Sequence, residues 1–218
     1  MRVVPESHEF LFLPEAGQVL STLELAGRTC YKSEHKIHDE SAARFVANIV
    51  KSGHLSVIEH ACITARLICD RGVSHELVRH RLASYSQEST RYANYAKDRF
   101  GGEITVIRPF FWADDSEKYR LWVAAMEAAE KAYLALIAAG ARPEEARSVL
   151  PNSLKTEVVM TANLREWRHV FALRCSPAAH PQIRRLLLPL LDELNQRLPM
   201  IFQDLYEEFA PAIAAIKG

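Results

Sequence analysis

The sequence predicts an α+β single domain in which helices dominate over a few short, widely spaced strands. Three observations lead there. Residues 116–139 and 181–216 carry long helical patterns, the first rich in alanine and the second amphipathic. The strand-like runs are brief and separated by helical stretches. No low-complexity linker or internal repeat divides the chain, and 218 residues suffice for a full core. Neither GxGxxG nor GxxxxGK[ST] occurs, so a Rossmann cofactor site and a P-loop are both unsupported.

Taken in order, residues 2–13 are strand-like around Val3-Val4 and Phe10–Leu13. Ala16–Cys30 is helical, with Val19, Leu20, Leu23 and Leu25 on one side. A second helix starts near Asp39-Glu40-Ser41, whose acids suit a helix start, and runs to Gly53. Ala61–Asp70 alternates Ile63, Ala65, Leu67 and Cys69 against Cys62, Thr64, Arg66 and Ile68, a strand pattern. Val73–Arg81 reads as a short helix delivering Arg79-His80-Arg81 to its end. Ile104–Ile107 is a strand stopped by Arg108-Pro109, and Ser116–Ala139 is a helix punctuated by Gly140. Pro143-Glu144-Glu145 opens a short helix, as proline does at a first helical position. Leu154–Thr161 is a strand, and Asn163 with Glu166 forms a capping box for a helix through Leu173. The last helical stretch is interrupted or kinked at Pro189 and Pro199.

Composition narrows the function classes. Lys+Arg and Asp+Glu are both 27, so the formal net charge is zero and no global field attracts a nucleic acid. A basic cluster at 79–91 on a neutral protein points to a discrete anionic ligand. The cysteines at 30, 62, 69 and 175 form no CxxC pair and read as reduced thiols of a cytoplasmic protein, mostly buried and inert. The start MRVVPESHEFLFL lacks the long apolar run of a signal peptide, and no segment approaches the roughly 20 apolar residues that cross a bilayer.

Three constellations carry chemistry. Between Arg79 and Tyr92 stand three arginines, a histidine, the hydroxyls of Ser84, Ser86, Ser89 and Thr90, and two tyrosines. Guanidinium forks, hydroxyls and backbone amides together suit phosphate oxygens. The plain alternative is a solvated turn with snorkelling arginines. The second set is Arg147, Leu150-Pro151, Thr156, Thr161, Asn163, Arg165, His169 and Arg174. On its helix Arg165 and His169 share a face, whereas Leu164, Trp167 and Phe171 form a core stripe. Arg174 in the last turn could equally serve the helix dipole. The third set is Gly53-His54-Leu55-Ser56 and Glu59-His60, whose spacings match no usual zinc finger or HExxH helix; no metal is expected.

Arg79-His80-Arg81, seven intervening residues and Ser89 resemble the RHRx7S signature of the flavin-dependent thymidylate synthases. Ser74-His75-Glu76-Leu77-Val78 before it, Thr90-Arg91-Tyr92 after it, Gly53-His54, Glu59-His60 and the run ARxxLPxxxxTxxxxTxNxRxxxHxxxLR from Ala146 to Arg174 are similar to that family as well. The resemblance covers nearly the whole chain. It implies helices packed around a small mixed or antiparallel sheet in a homotetramer. It also implies reductive methylation of dUMP to dTMP, with methylenetetrahydrofolate as carbon donor and NADPH as reductant, through bound FAD.

By the same resemblance, Ser56, Arg79, His80, Arg81, Glu88, Asn163, Arg165 and His169 match flavin-contacting positions. Glu76, Leu77, Val78, Arg79, Glu88, Ser89, Thr90, Arg91, Arg147 and Arg174 match dUMP-contacting ones. Arg174 matches the position that acts on the uracil ring by favouring its ionised form. Ser89 is then a phosphate ligand and no cysteine is a nucleophile. Where the family often has a segment resembling AQWEIR, this chain reads Ala179-His180-Pro181-Gln182-Ile183-Arg184. Two other classes stay in view. A single-stranded nucleic-acid module would use Tyr85, Tyr92 and Tyr95 to stack bases, against the zero net charge. A zinc hydrolase would need ligands from the third constellation.

Overall fold

The computed structural model describes residues 1–217, the side chain of Arg99 excepted. Six strands and eight α-helices are interspersed along these residues. The strands are β1 (Arg2–Val4), β2 (Ser7–Phe12), β3 (Cys62–Asp70), β4 (Ala83–Gln87), β5 (Thr105–Ile107) and β6 (Lys155–Asn163). The helices are α1 (Ala16–Tyr31), α2 (Ser41–Lys51), α3 (Arg71–Leu77), α4 (Glu117–Ala138), α5 (Pro143–Ala146), α6 (Leu164–Arg174), α7 (Pro181–Arg197) and α8 (Pro199–Lys217). This is an α+β architecture, as the sequence predicts. The strands form two small sheets where one was expected. β1 pairs in parallel with β5, Val3 opposite Val106, and the other four lie in the order β2-β3-β6-β4.

The described residues gather into two compact units, each assembled from three segments: 1–7, 67–79 and 85–159 in one, and 8–66, 80–84 and 160–217 in the other. In the first, Ile104, Val106, Trp122, Met126, Tyr133 and Leu154 belong to one apolar core. Ser116 caps α4 by accepting from the Tyr119 amide, and Pro143 opens α5. In the second, α7 packs on α8 and α1 on α2. Trp167, Phe171 and Phe202 are fully buried there, Trp167 stacked on Phe171 at 5.7 Å. The Trp167 indole N–H donates to the Ile63 carbonyl at 3.2 Å, so the polar atom of this large core side chain is satisfied.

Several expectations are corrected. α3 stops at Leu77, short of Arg81, because Val78 and Arg79 form a turn; the basic triplet lies beyond the helix. Ala83–Gln87, inside the basic cluster, is a strand that its polar side chains conceal. α7 continues through Pro189 and ends at Arg197, whereas the interruption expected at Pro199 is present: Pro199 opens α8, as suits a residue that lacks an amide. Cys69 and Cys175 are buried, but Cys30 and Cys62 are exposed. Burial pushes the Cys175 thiol up to about 12 and raises that of Cys69, so these two are held protonated. No helix among the described residues is long and apolar enough to cross a membrane.

Candidate active site

The residues singled out by the sequence fall into two groups, one in each unit. In the unit holding α6, β6 ends at Asn163, whose Oδ1 accepts from the Glu166 amide at 2.8 Å and starts the helix. Leu164, Trp167, Val170 and Phe171 are buried, which leaves Arg165 and His169 exposed and Arg174 half-buried in the last turn. Arg174 Nε donates to His80 Nε2 at 3.1 Å. The His169 ring stands edge-on to His80, centroids 5.5 Å apart. On the other side of the His80 ring, Nδ1 lies 3.5 Å from Glu166 Oε1. His80 is only 4% exposed. Burial, then the charge of Arg174, then His169, lowers its pKa to about 4, so the imidazole is neutral at physiological pH.

Ser56 and Arg165 meet elsewhere in this unit. α2 closes with Gly53 in the left-handed region at φ 72°; its amide donates to Val50 O and the His54 amide to Ile49 O. That double bond pattern fixes the direction in which His54 leaves the helix. The chain then enters the short turn that Ser56 begins. A cavity of about 390 Å³ is lined there by Cys30, Tyr31, Gly53, His54, Ser56 and Arg165. Arg165 Nη1 donates to Glu59 Oε1 at 2.6 Å at its exposed rim. Such an exposed pair is weak and readily re-formed around a ligand. Arg81 is exposed in the turn before β4.

The other unit holds the second group. Asp70 Oδ1 accepts from the Val73 amide and begins α3. Toward the end of that helix Glu76 is half-buried and Leu77 buried, and beyond it Val78 and Arg79 are exposed. The Tyr85 hydroxyl donates to Leu77 O at 2.7 Å. The Gln87 amide bridges Ser74 and Thr156. Glu88 accepts from Tyr95 Oη at 3.2 Å and from Lys155 Nζ at 3.1 Å, so both its oxygens are held. Burial first, and then Glu88, raises the Tyr95 phenol, which therefore stays a donor. Ser89 Oγ accepts from the Arg91 amide at 3.3 Å, and Thr90 Oγ1 from Arg147 Nη1 at 3.5 Å. Arg91 lies 3.5 Å from Glu144 and over the Tyr92 ring.

Thus His80, His169 and Arg174 come together, as do Thr90 with Arg147, and Ser56 with Arg165. Arg79 and Arg81 make no side-chain ion pair among the described residues. Sequence reasoning passed over four contacts to the singled-out residues: Glu166 against His80, Lys155 and Tyr95 on Glu88, and Glu59 on Arg165. Glu166 was legible only as half of a capping box; its carboxylate turns to His80 instead. The departure at Ala179–Arg184 has a local reason. His180 Nδ1 accepts from the Gln182 amide, and Pro181 sits at the first position of α7, so the histidine and proline build the helix start.

Residues 16–200 match the family described as Thymidylate synthase complementing protein, Thy1. A flavin-dependent thymidylate synthase of Geobacter sulfurreducens is 37% identical over 198 residues, which span 88% of this chain and 82% of that protein. The protein of the same name from Mycobacterium sp. strain JLS is 38% identical over 212 residues, spanning 87% and 80%. The fold is similar to that of the UMP/dUMP methylase PolB from Streptomyces cacaoi bound with 5-Br dUMP, with a TM-score of 0.76 over 96% of this chain and 98% of that one at 19% identity. The last likeness is one of fold; the sequence matches define the class, an α+β enzyme. The chain belongs to the flavin-dependent thymidylate synthase family.

Proposed function

We propose that the protein converts dUMP to dTMP, taking a one-carbon unit from methylenetetrahydrofolate and a hydride from NADPH through bound FAD. The observation that carries this reading is the bond from Arg174 to His80. It joins the end of the Ala146–Arg174 run to the centre of the RHRx7S signature across 94 residues of sequence. The residues fit a flavin: the cavity at Gly53–Ser56 offers hydroxyl, imidazole and guanidinium groups in about 390 Å³. Ser56, Arg79, His80, Arg81, Glu88, Asn163, Arg165 and His169 would hold it. When bound, the flavin supplies the hydride chemistry, and the protein supplies alignment and electrostatics.

For the nucleotide, the exposed Arg79 and Arg91 and the hydroxyls of Ser89 and Thr90 suit a monophosphate with about two negative charges. Arg147 steadies Thr90. Glu76, Leu77 and Val78 complete this set, and Glu88 stands ready as a fixed acceptor. Arg174 would face the uracil ring and stabilise negative charge as it develops, as oxyanion-hole donors do. In this reading the enzyme works as a homotetramer in the cytoplasm on small-molecule substrates, without metal, nucleic acid or membrane.

The test is direct. Purified full-length protein should be yellow, release FAD on denaturation, oxidise NADPH in the presence of dUMP, and form dTMP when methylenetetrahydrofolate is added. A colourless protein that neither takes up FAD nor oxidises NADPH with dUMP present would overturn the reading.

A further inference from the structure

The role of Arg174 raises a question of control. A guanidinium on a flexible stem gains catalytic precision only if it is fixed, and one group that holds it is a histidine that could present either a lone pair or a proton. We infer that Glu166 is a positioning residue for Arg174, acting by setting the tautomer of His80. The inference deepens the proposed function and rests on it for the role of Arg174.

A guanidinium has donors and no acceptor. His80 Nε2, 3.1 Å from Arg174 Nε, must therefore offer its lone pair. A neutral imidazole then carries its one proton on Nδ1. Nδ1 is the atom that lies 3.5 Å from Glu166 Oε1. A carboxylate is an acceptor, so it favours that tautomer and disfavours the one that would aim an N–H at Arg174. His80 and Glu166 are 4% and 5% exposed, so little water competes for either ring nitrogen. The depressed pKa of His80 agrees, since an imidazolium would place a second N–H against the guanidinium.

The helix makes the arrangement rigid. Glu166 and Arg174 both belong to α6, about two turns apart, and helical side chains lean toward the N-terminus. Arg174 thus reaches back toward the carboxylate, with His80 bridging the two. The edge-on ring of His169 limits rotation of His80. A capping role for Glu166 would require its carboxylate to return to the Asn163 amide; it faces His80 instead.

The test uses full-length protein, wild type and the variants Glu166→Ala and Glu166→Gln, with histidine 15N shifts to read the His80 tautomer. Wild type should show the proton on Nδ1. Glu166→Ala should lose that pattern, with FAD content unchanged and the KM for dUMP within about threefold, while kcat falls roughly tenfold to hundredfold, the usual cost of a misplaced group. Glu166→Gln, whose amide oxygen still accepts, should keep the Nδ1 proton and recover much of kcat; it also serves if the alanine variant does not fold. Wild-type His80 with its proton on Nε2, or a Glu166→Ala protein with wild-type tautomer and kcat, would overturn the inference. Wild type that makes no dTMP yet shows the Nδ1 proton, lost in Glu166→Ala, would overturn the proposed function and leave the assignment of Glu166 to His80 standing.

Discussion

Arg174 Nε donates to His80 Nε2 across 3.1 Å, so one nitrogen of the guanidinium in the last turn of α6 is held by a neutral imidazole. The consequence is electrostatic. A neutral acceptor helps to fix the side chain and, unlike a carboxylate, cancels none of its charge.

Arg174→Ala should therefore keep its fold and its flavin but lose methylation, with turnover reduced by about two orders of magnitude or more. dTMP formation and the visible spectrum measured on one preparation check this. Loss of the flavin in that variant would make Arg174 structural. Arg174→Lys should restore little, since a point charge does not replace a planar fork.

His80 predicts a pH dependence of stability. Its ordinary pKa of 6.5 falls to about 4 in the folded protein, where Glu166, His169 and Arg174 face it. Between those values the unfolded chain binds the extra proton. The stabilisation is thus complete above pH 6.5 and is lost as pH falls toward 4, by no more than about 3 kcal/mol. Denaturant unfolding at pH 7 and pH 4.5 should show a stability gap between wild type and His80→Gln that shrinks at the lower pH. A gap independent of pH would show that His80 titrates alike in both states.

Ser89→Ala tests the phosphate assignment. Among the described residues the hydroxyl accepts only from the nearby Arg91 amide, so its removal costs little structure. Affinity for dUMP should drop about tenfold, the value of one charge-assisted bond, with turnover at saturation retained. Complete loss of turnover at unchanged dUMP affinity would give Ser89 a chemical role.

Trp167→Phe keeps an aromatic ring in the core but leaves the Ile63 carbonyl without its indole donor. Stability should fall by about 2 kcal/mol, read as a lower denaturant midpoint. An unchanged midpoint would mean that the carbonyl finds another donor.

Much of this was legible locally. The alternation of Ile63, Ala65, Leu67 and Cys69 with less buried residues specified β3, and all four are buried. Asn163 announced the start of α6, and Leu164, Trp167 and Phe171 its inward face. β4 was hidden because Ser84, Tyr85, Ser86 and Gln87 look like a loop; it is the last strand of its sheet, where one neighbour suffices to make a strand of polar residues. The pairing of Glu166 with His80 was out of reach for another reason. It depends on which distant side chain the fold brings to an acid, and spacing along the chain carries no such information.

The cysteines finally give this protein an internal clock. Cys30 and Cys62 are open to a thiol reagent, whereas Cys69 and Cys175 are buried and held protonated. Two thiols should react at once and two only when the strand or helix end around them opens, so the delay between the phases times local unfolding without an added probe. Because Cys30 lines the cavity with Ser56 and Arg165, its rate in the fast phase should also report whether that cavity is filled.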